Sequence, residues 1–241
     1  MKEFPFGFKT SGTCERGNVL LIILIGIALL AALSFTVGGM MRSGTIDINE
    51  EQAELYASQV LDYARDLRQG VKYLQITNGC EDTDISFEAT GLTGYAHTPA
   101  AEDRCKLFDN DGAGMSYIQP DVKLNDGVDW LFSGANQIDA IGTDDLGSFS
   151  WDSLDIIAWL PYIPLSLCEA LNEKLGIASP PPVDQSTADY IKYDGTYSAS
   201  TEILDAGNVL QGQIAACFEG NTVFGGPTNG GYHFYQVLMA R

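Results

Sequence analysis

Basic residues are scarce in this chain. Its 241 residues include 13 Lys and Arg against 32 Asp and Glu, which gives a formal net charge of −19. Because binding to nucleic-acid phosphates depends on clustered cations, this balance argues against a nucleic-acid partner. Histidine is rarer still, with two residues, so there is little material for a histidine-based metal or acid–base site.

Motifs of catalysis and cofactor binding are also missing. The chain contains no GxSxG, Walker loop, HExxH or GxGxxG pattern, and these patterns mark common nucleophile, phosphate, zinc and dinucleotide sites. His233 lies among aromatic residues in a predicted strand, so we expect a packed side chain rather than a base. The sequence therefore predicts no enzymatic activity, no catalytic residue and no organic cofactor.

One long apolar run is present and dominates the N-terminal region. Residues 17–41 carry no charge, and the 19 central residues would span roughly 28 Å as a helix, about one hydrocarbon core. A cleaved signal peptide would have a shorter apolar part and a small-residue cleavage site. A single-pass anchor and a leader that is cut before the apolar run both fit this length.

The charges that flank the run predict its orientation. Residues 1–17 carry three cations against two carboxylates, a formal +1, which leaves −20 on residues 42–241. Because basic flanks stay in the cytoplasm, we expect a cytoplasmic N-terminus and a large acidic domain across the membrane.

The junction at Glu15-Arg16-Gly17, followed at once by Asn18 and the apolar run, resembles the leader junction of type IV pilins and pseudopilins. The resemblance covers about residues 10–75. It implies that a prepilin peptidase cuts between Gly17 and Asn18 and that the new amino terminus is methylated. It also implies a bacterial inner-membrane location or a cell-surface filament. The implied partners are an inner-membrane assembly platform and other pilin or pseudopilin subunits, which the N-terminal helix contacts.

Two positions depart from the family pattern. The fifth residue after the cut is Ile22, where most members have Glu, and the first is the polar Asn18. The resemblance therefore implies a non-enzymatic minor pilin or pseudopilin-like subunit of a type IV pilus or type II secretion-like filament, with the tip as its expected position. The alternative is a single-pass envelope protein whose extracytoplasmic domain binds a ligand or scaffolds other envelope proteins.

The segment after the membrane run has helical periodicity. Apolar residues recur every three or four positions and predict an amphipathic helix within residues 42–78, packed on the chain's own domain. Asp47 and Glu50 form a plausible capping pair at its start. The stripe comprises Ala53, Tyr56, Val60, Ala64, Leu67, Val71 and Leu74.

The rest of the chain predicts an α+β fold. We expect a leader at 1–17, a membrane or filament-core helix at 18–41, the amphipathic helix at 42–78 and a globular domain at 79–241. In that domain the pattern predicts a hairpin from 128–132 and 137–141, short helices at 153–160 and 165–175, and a terminal strand at 232–239. The whole is a long N-terminal helix followed by a pilin-like domain with an antiparallel sheet and short helices.

Four cysteines, Cys80, Cys105, Cys168 and Cys217, lie on the translocated side of the run, whereas Cys14 lies in the leader. An even number in an oxidising compartment predicts two disulfides. Three pairings are possible, and pairing of nearest neighbours closes loops of ordinary size. The spacings lack the CxxC pattern of a zinc site.

Asp109-Asn110-Asp111-Gly112 resembles the start of a calcium loop. An EF-hand would need an acceptor and a Glu further along the loop, where this chain has Ala113 and Pro120, so that motif is excluded. Asp109 and Asp111 remain candidates for a looser calcium site, against the simpler interpretation of a solvated turn.

Overall fold

A 27-residue helix, α1 (Glu50–Ile76), opens the described part of the domain. The side chain of Asn49 accepts a hydrogen bond from the backbone N–H of Gln52 at 2.9 Å and caps the first turn. The cap is therefore Asn49, and the prediction of Asp47 was wrong because Asn49 has the extended backbone that a cap requires. The helix ends at Thr77, as the sequence predicted.

The computed structural model describes Ile23 and residues 49–142, 153–184, 188–198, 202–204, 209–221 and 226–241, with backbone alone for 202–204. Residues Ile46–Arg241 form a compact unit of their own. The predicted membrane helix at 18–41 lies outside the described residues, apart from Ile23. Within the described ranges, no helix is long and apolar enough to cross a bilayer.

A five-stranded sheet follows α1, in the order β3-β1-β2-β5-β4. Four strands pair antiparallel, and the short β3 pairs parallel with β1. Between α1 and the sheet lie two single 3-10 turns and the four-residue helix α2 (Val122–Asn125), and α3 (Leu165–Leu175) follows β2. The strands are β1 (Leu131–Ile138), β2 (Asp155–Ile163), β3 (Glu202–Leu204), β4 (Ala215–Glu219) and β5 (Tyr232–Met239).

The expected α+β class with an antiparallel sheet is therefore confirmed, but two element predictions were wrong. Residues 155–163 form strand β2 rather than a helix. Residues 156–160 of this strand are buried on both faces, so this stretch is apolar throughout and lacks the alternation of a half-exposed strand. The predicted hairpin is the single strand β1, which runs through Gly134. A Cβ at Gly134 would lie 2.6 Å from the Tyr193 ring, so this glycine makes room for an aromatic side chain.

The sheet separates two apolar clusters. On one face, Ile156, Ala158 and Leu160 of β2 pack in the same cluster as the buried stripe of α1 and the apolar side of α3. On the other face, Ile157 and Trp159 pack with side chains from irregular segments around residues 177, 188 and 210. Helices thus cover one face and loops cover the other.

Two asparagine side chains pair with backbone groups where regular pairing stops. The Asn172 amide of α3 donates to the carbonyl of Cys217 and accepts from its N–H, both at 2.8 Å. Asn136 of β1 makes the same double contact with the backbone of Asp189, both at 2.7 Å. Because Asn172 and Cys217 are buried, the amide replaces a neighbouring strand along the outer edge of β4.

Replacing Asn172 by Ala should destabilise the fold by about 2–4 kcal/mol, because it leaves a buried N–H and a buried carbonyl without partners. Urea denaturation followed by circular dichroism measures this change. Asn110→Ala, at an exposed turn position, is the matched control and should change stability by less than about 0.5 kcal/mol. Equal urea midpoints for the two variants would contradict the role given to Asn172.

Candidate functional site

The predicted processing site cannot be placed in the fold. Gly17, Asn18 and Ile22 all lie outside the described residues. The cut between Gly17 and Asn18, and the absence of a carboxylate at Ile22, therefore stay predictions from the sequence.

The four predicted disulfide cysteines come together in two pairs. Cys80 bonds to Cys105, with Cα atoms 5.8 Å apart, and Cys168 bonds to Cys217, with Cα atoms 5.3 Å apart. The first pair joins the segment after α1 to a 3-10 turn, and the second joins α3 to strand β4. The prediction of two disulfides is confirmed, and of the three possible pairings the structure has the nearest-neighbour one. All four side chains are buried, so both bonds are structural cross-links.

The calcium candidate Asp109 holds a turn together. Its carboxylate accepts a hydrogen bond from the N–H of Asp111 at 2.9 Å, and its carbonyl accepts from the N–H groups of Gly112 and Gly114. Such an Asx turn needs no ion to be stable. In the part of the chain that the structure describes, no three His, Cys, Asp or Glu residues are grouped as metal ligands.

Gly112 is the residue of this turn that packing requires. A Cβ there would lie 1.9 Å from the carbonyl oxygen of Lys106, which is backbone and cannot move aside cheaply. The glycine therefore lets two backbone segments approach closely.

The two histidines occupy different surroundings. His233 on β5 is completely buried, and its Nδ1 lies 2.7 Å from the hydroxyl of Tyr190. The rings of Tyr162, Tyr190 and Phe218 surround it at centroid distances of 5.2–6.0 Å. Burial lowers the pKa of His233 to about 4, and the backbone of Thr228 offsets this shift only in part. The expectation of a packed side chain is confirmed.

His97 lies in a loop and packs edge-on against the ring of Tyr193. Burial lowers its pKa, and three nearby carboxylates, Glu88, Asp194 and Asp84, oppose that effect. The described contacts of both histidines are mainly with aromatic rings, apart from the hydrogen bond between His233 and the hydroxyl of Tyr190.

A cleft of about 500 Å³, here called the α1 groove, lies between α1 and the loop before β1. Its floor includes Trp130 and Leu160, and one wall is the side of α1 that carries Tyr56 and Tyr63. The groove is lined by Tyr56, Gln59, Val60, Tyr63, Ile118, Gln119, Pro120, Asp121, Leu124, Trp130 and Leu160. Its volume lies in the range of small-molecule and side-chain pockets.

Sequence reasoning missed this groove because its two walls are about 60 residues apart. Tyr56 was part of the predicted buried stripe of α1, but it is half-buried and lines the groove. Ala57 and Leu61, which the predicted stripe did not include, are buried. The one available indication was the presence of apolar residues among the polar ones of the loop at 118–130, namely Ile118, Val122, Leu124, Val128 and Trp130.

A second and larger cleft, of about 670 Å³, lies between the start of α1 and α3. Four glutamates line it: Glu50, Glu54, Glu169 and Glu173. Lys174 approaches Glu54 at 3.9 Å, and the hydroxyl of Ser179 donates to Glu169 at 3.2 Å. Carboxylates line this cleft, whereas the floor of the α1 groove includes the aromatic ring of Trp130.

Gly112→Ala should destabilise the fold by about 1–3 kcal/mol, because the added methyl group overlaps the Lys106 carbonyl. Asp111→Ala, at an exposed position of the same turn, should have little effect. Thermal unfolding of the two variants measures the difference. Full tolerance of Ala at position 112 would show that the two segments are not in contact in solution.

Stability should fall as the pH drops from about 6.5 to about 4, and His233 should contribute up to about 3 kcal/mol of that loss. Its pKa is lower in the folded state than in the unfolded chain, so the unfolded state binds the proton first. The contribution is complete above pH 6.5 and is lost as the pH approaches 4. His233→Phe removes it, so the stability difference between wild type and variant should shrink over this range in urea denaturation. A constant difference would contradict the burial of a neutral histidine.

Comparisons with known proteins identify no relative. No family model, curated protein or solved structure matches the chain. The basis for a functional proposal is therefore the N-terminal sequence pattern together with the fold and surfaces described above.

Proposed function

We propose that this chain is a non-enzymatic minor pilin or pseudopilin-like subunit of a type IV pilus or type II secretion-like filament. The observation that carries the proposal is the order of three segments. A leader-like junction at Gly17 stands directly before the uncharged run, and the amphipathic helix α1 follows that run. In this proposal, residues 18–41 are held in the bacterial inner membrane before assembly, and the acidic domain lies on the periplasmic side.

The packing of α1 supports this arrangement. An N-terminal helix that joins a membrane segment to a globular domain must expose one side and bury the other in its own domain. Residues of α1 at three- and four-residue spacing are buried against the sheet, while Glu50, Glu51 and Asp62 are exposed. The domain is also cross-linked by two disulfides, which suits an oxidising compartment.

The partners in this proposal follow from the N-terminal segment. A prepilin peptidase removes residues 1–17 and methylates Asn18, and an assembly platform in the inner membrane then takes up the subunit. Apolar helices of other pilin subunits pack against residues 18–41 within the filament. The domain beyond α1 is left free to make contacts at the filament surface or tip.

Ile22 supports a place at the tip of the filament. A buried amino terminus in an apolar bundle is costly unless a carboxylate neutralises it. In the family this carboxylate is the Glu at the fifth mature position, and this chain has Ile22 there. A subunit without the carboxylate cannot neutralise the amino terminus of a neighbour, so repeated stacking of this subunit alone is disfavoured.

The second candidate is a single-pass envelope protein with a ligand-binding or scaffolding domain. The departures at Asn18 and Ile22 favour it, because an uncleaved anchor needs neither family residue. The α1 groove would then be a binding site on a fixed membrane protein rather than on a filament subunit.

Processing at Gly17 separates the two candidates. Intact-mass analysis of the purified protein should find a chain that starts at methylated Asn18. Gly17→Leu should abolish processing, because a peptidase that cuts beside a small residue cannot admit the bulky side chain.

Gly12→Leu is the matched control, since it makes the same change within the leader but away from the junction. It should leave processing intact. A wild-type chain that keeps residues 1–17 in cells with an active prepilin peptidase would refute the pilin-like proposal and favour the single-pass anchor.

A further inference from the structure

The rim of the α1 groove has exposed apolar side chains that are not buried in the core of the domain. Ile118 is 56% exposed and Val122 is 67% exposed. Ile118 lines a groove whose floor includes the aromatic ring of Trp130, and Val122 directly follows the lining residue Asp121 in the chain. Exposed aliphatic residues around an aromatic pocket are typical of protein-binding sites, where a few central side chains supply most of the affinity.

The walls of the groove are held in place without a ligand. The hydroxyl of Tyr63 accepts a hydrogen bond from the N–H of Ile118 at 3.0 Å and donates to the carbonyl of Ser116. Burial raises the pKa of Tyr63 to about 12, so its hydroxyl stays protonated and can donate. On the far wall, the hydroxyl of Tyr117 donates to Asp129 at 2.9 Å and accepts from the N–H of Trp130. A preformed groove avoids the entropic cost of ordering on binding.

The surroundings of the groove are acidic. Residues 56–66 and 118–130, which include the lining residues of its two walls, carry five carboxylates and two cations. Arg65, one of the two cations, already contacts Asp62 at 3.1 Å. Asp121, which lines the groove directly, accepts a hydrogen bond from the backbone N–H of Lys123. A bound segment therefore meets an apolar floor and a negative rim.

We propose that the α1 groove binds a segment of another protein that inserts an apolar side chain and places Lys or Arg beside it. The apolar side chain packs on Trp130 between Tyr56 and Leu160. The cation lies over the acidic rim, where it complements the charge of both walls. This inference does not depend on the prepilin proposal, because it uses only α1 and the domain that follows it.

Two other occupants fit less well. A second copy of the chain would bring another surface from a region with a net charge of −20 against an acidic rim, and like charges oppose that contact. A small polar ligand needs several convergent polar groups. The hydroxyls of Tyr63 and Tyr117 are already engaged with backbone and with Asp129.

The test uses the full chain in phosphatidylcholine nanodiscs and three fluorescein-labelled peptides of equal length. One peptide alternates Leu and Lys, one alternates Leu and Glu, and one alternates Ser and Lys. Fluorescence anisotropy gives the affinity of each, with empty nanodiscs as background. The proposal expects the Leu–Lys peptide to bind at least tenfold more tightly than either of the others.

Ile118→Asp should weaken binding of the Leu–Lys peptide at least tenfold, and Val122→Asp should weaken it in the same direction. Ile191→Asp is the matched control, because Ile191 is also an exposed isoleucine, at 42%, and does not line the groove. Circular dichroism of each variant verifies folding. Equal binding by the Ile118 and Ile191 variants would overturn the proposal. So would equal binding of the Ser–Lys peptide, or a homodimer of wild type that Ile118→Asp dissociates.

Discussion

Burial of the apolar stripe of α1 is the contact on which the rest of the domain depends. Nine residues of the helix are buried, and the eight other than Gly70 belong to the same cluster as the inner faces of β2 and β5. Truncating one buried Leu in such a stripe typically costs about 2–5 kcal/mol. Gly70 is part of this contact, since a Cβ there would lie 2.4 Å from Met115 and 2.6 Å from Leu107. The penalty of a glycine within a helix is thus offset by close packing.

The opposite face of the sheet is built differently, because none of the described helices covers it. Trp159, Phe218 and Tyr235 are buried there under irregular segments. Side chains supply part of the backbone pairing in these segments. The amide of Asn136 bonds to both the N–H and the carbonyl of Asp189. Polar side chains therefore specify the loops on one face, whereas apolar periodicity specifies the helices on the other.

This difference explains which parts of the fold the sequence revealed. Helix α1 was predictable because its apolar residues recur at a regular spacing, and strand β5 was predictable as the segment after a glycine-rich turn. Strand β2 was mistaken for a helix, since burial on both faces removes the alternation that identifies a strand. Gly134 suggested a turn, yet its role is to admit the ring of Tyr193 from a distant segment. The even number of translocated cysteines and the expected oxidising compartment predicted two disulfides, but the pairing became known only from the structure.

The α1 groove is a consequence of how α1 docks. Tyr56 and Tyr63 lie at the margin of the buried stripe, so packing of the stripe leaves them beside the loop that Tyr63 anchors at Ile118. The groove exists only while α1 packs on the sheet. A partner's side chain bound in the groove would therefore stabilise the packing of α1 on the sheet. Binding at the groove is therefore coupled to the stability of the helix that follows the apolar run. A partner bound there would strengthen the attachment of α1 to the sheet.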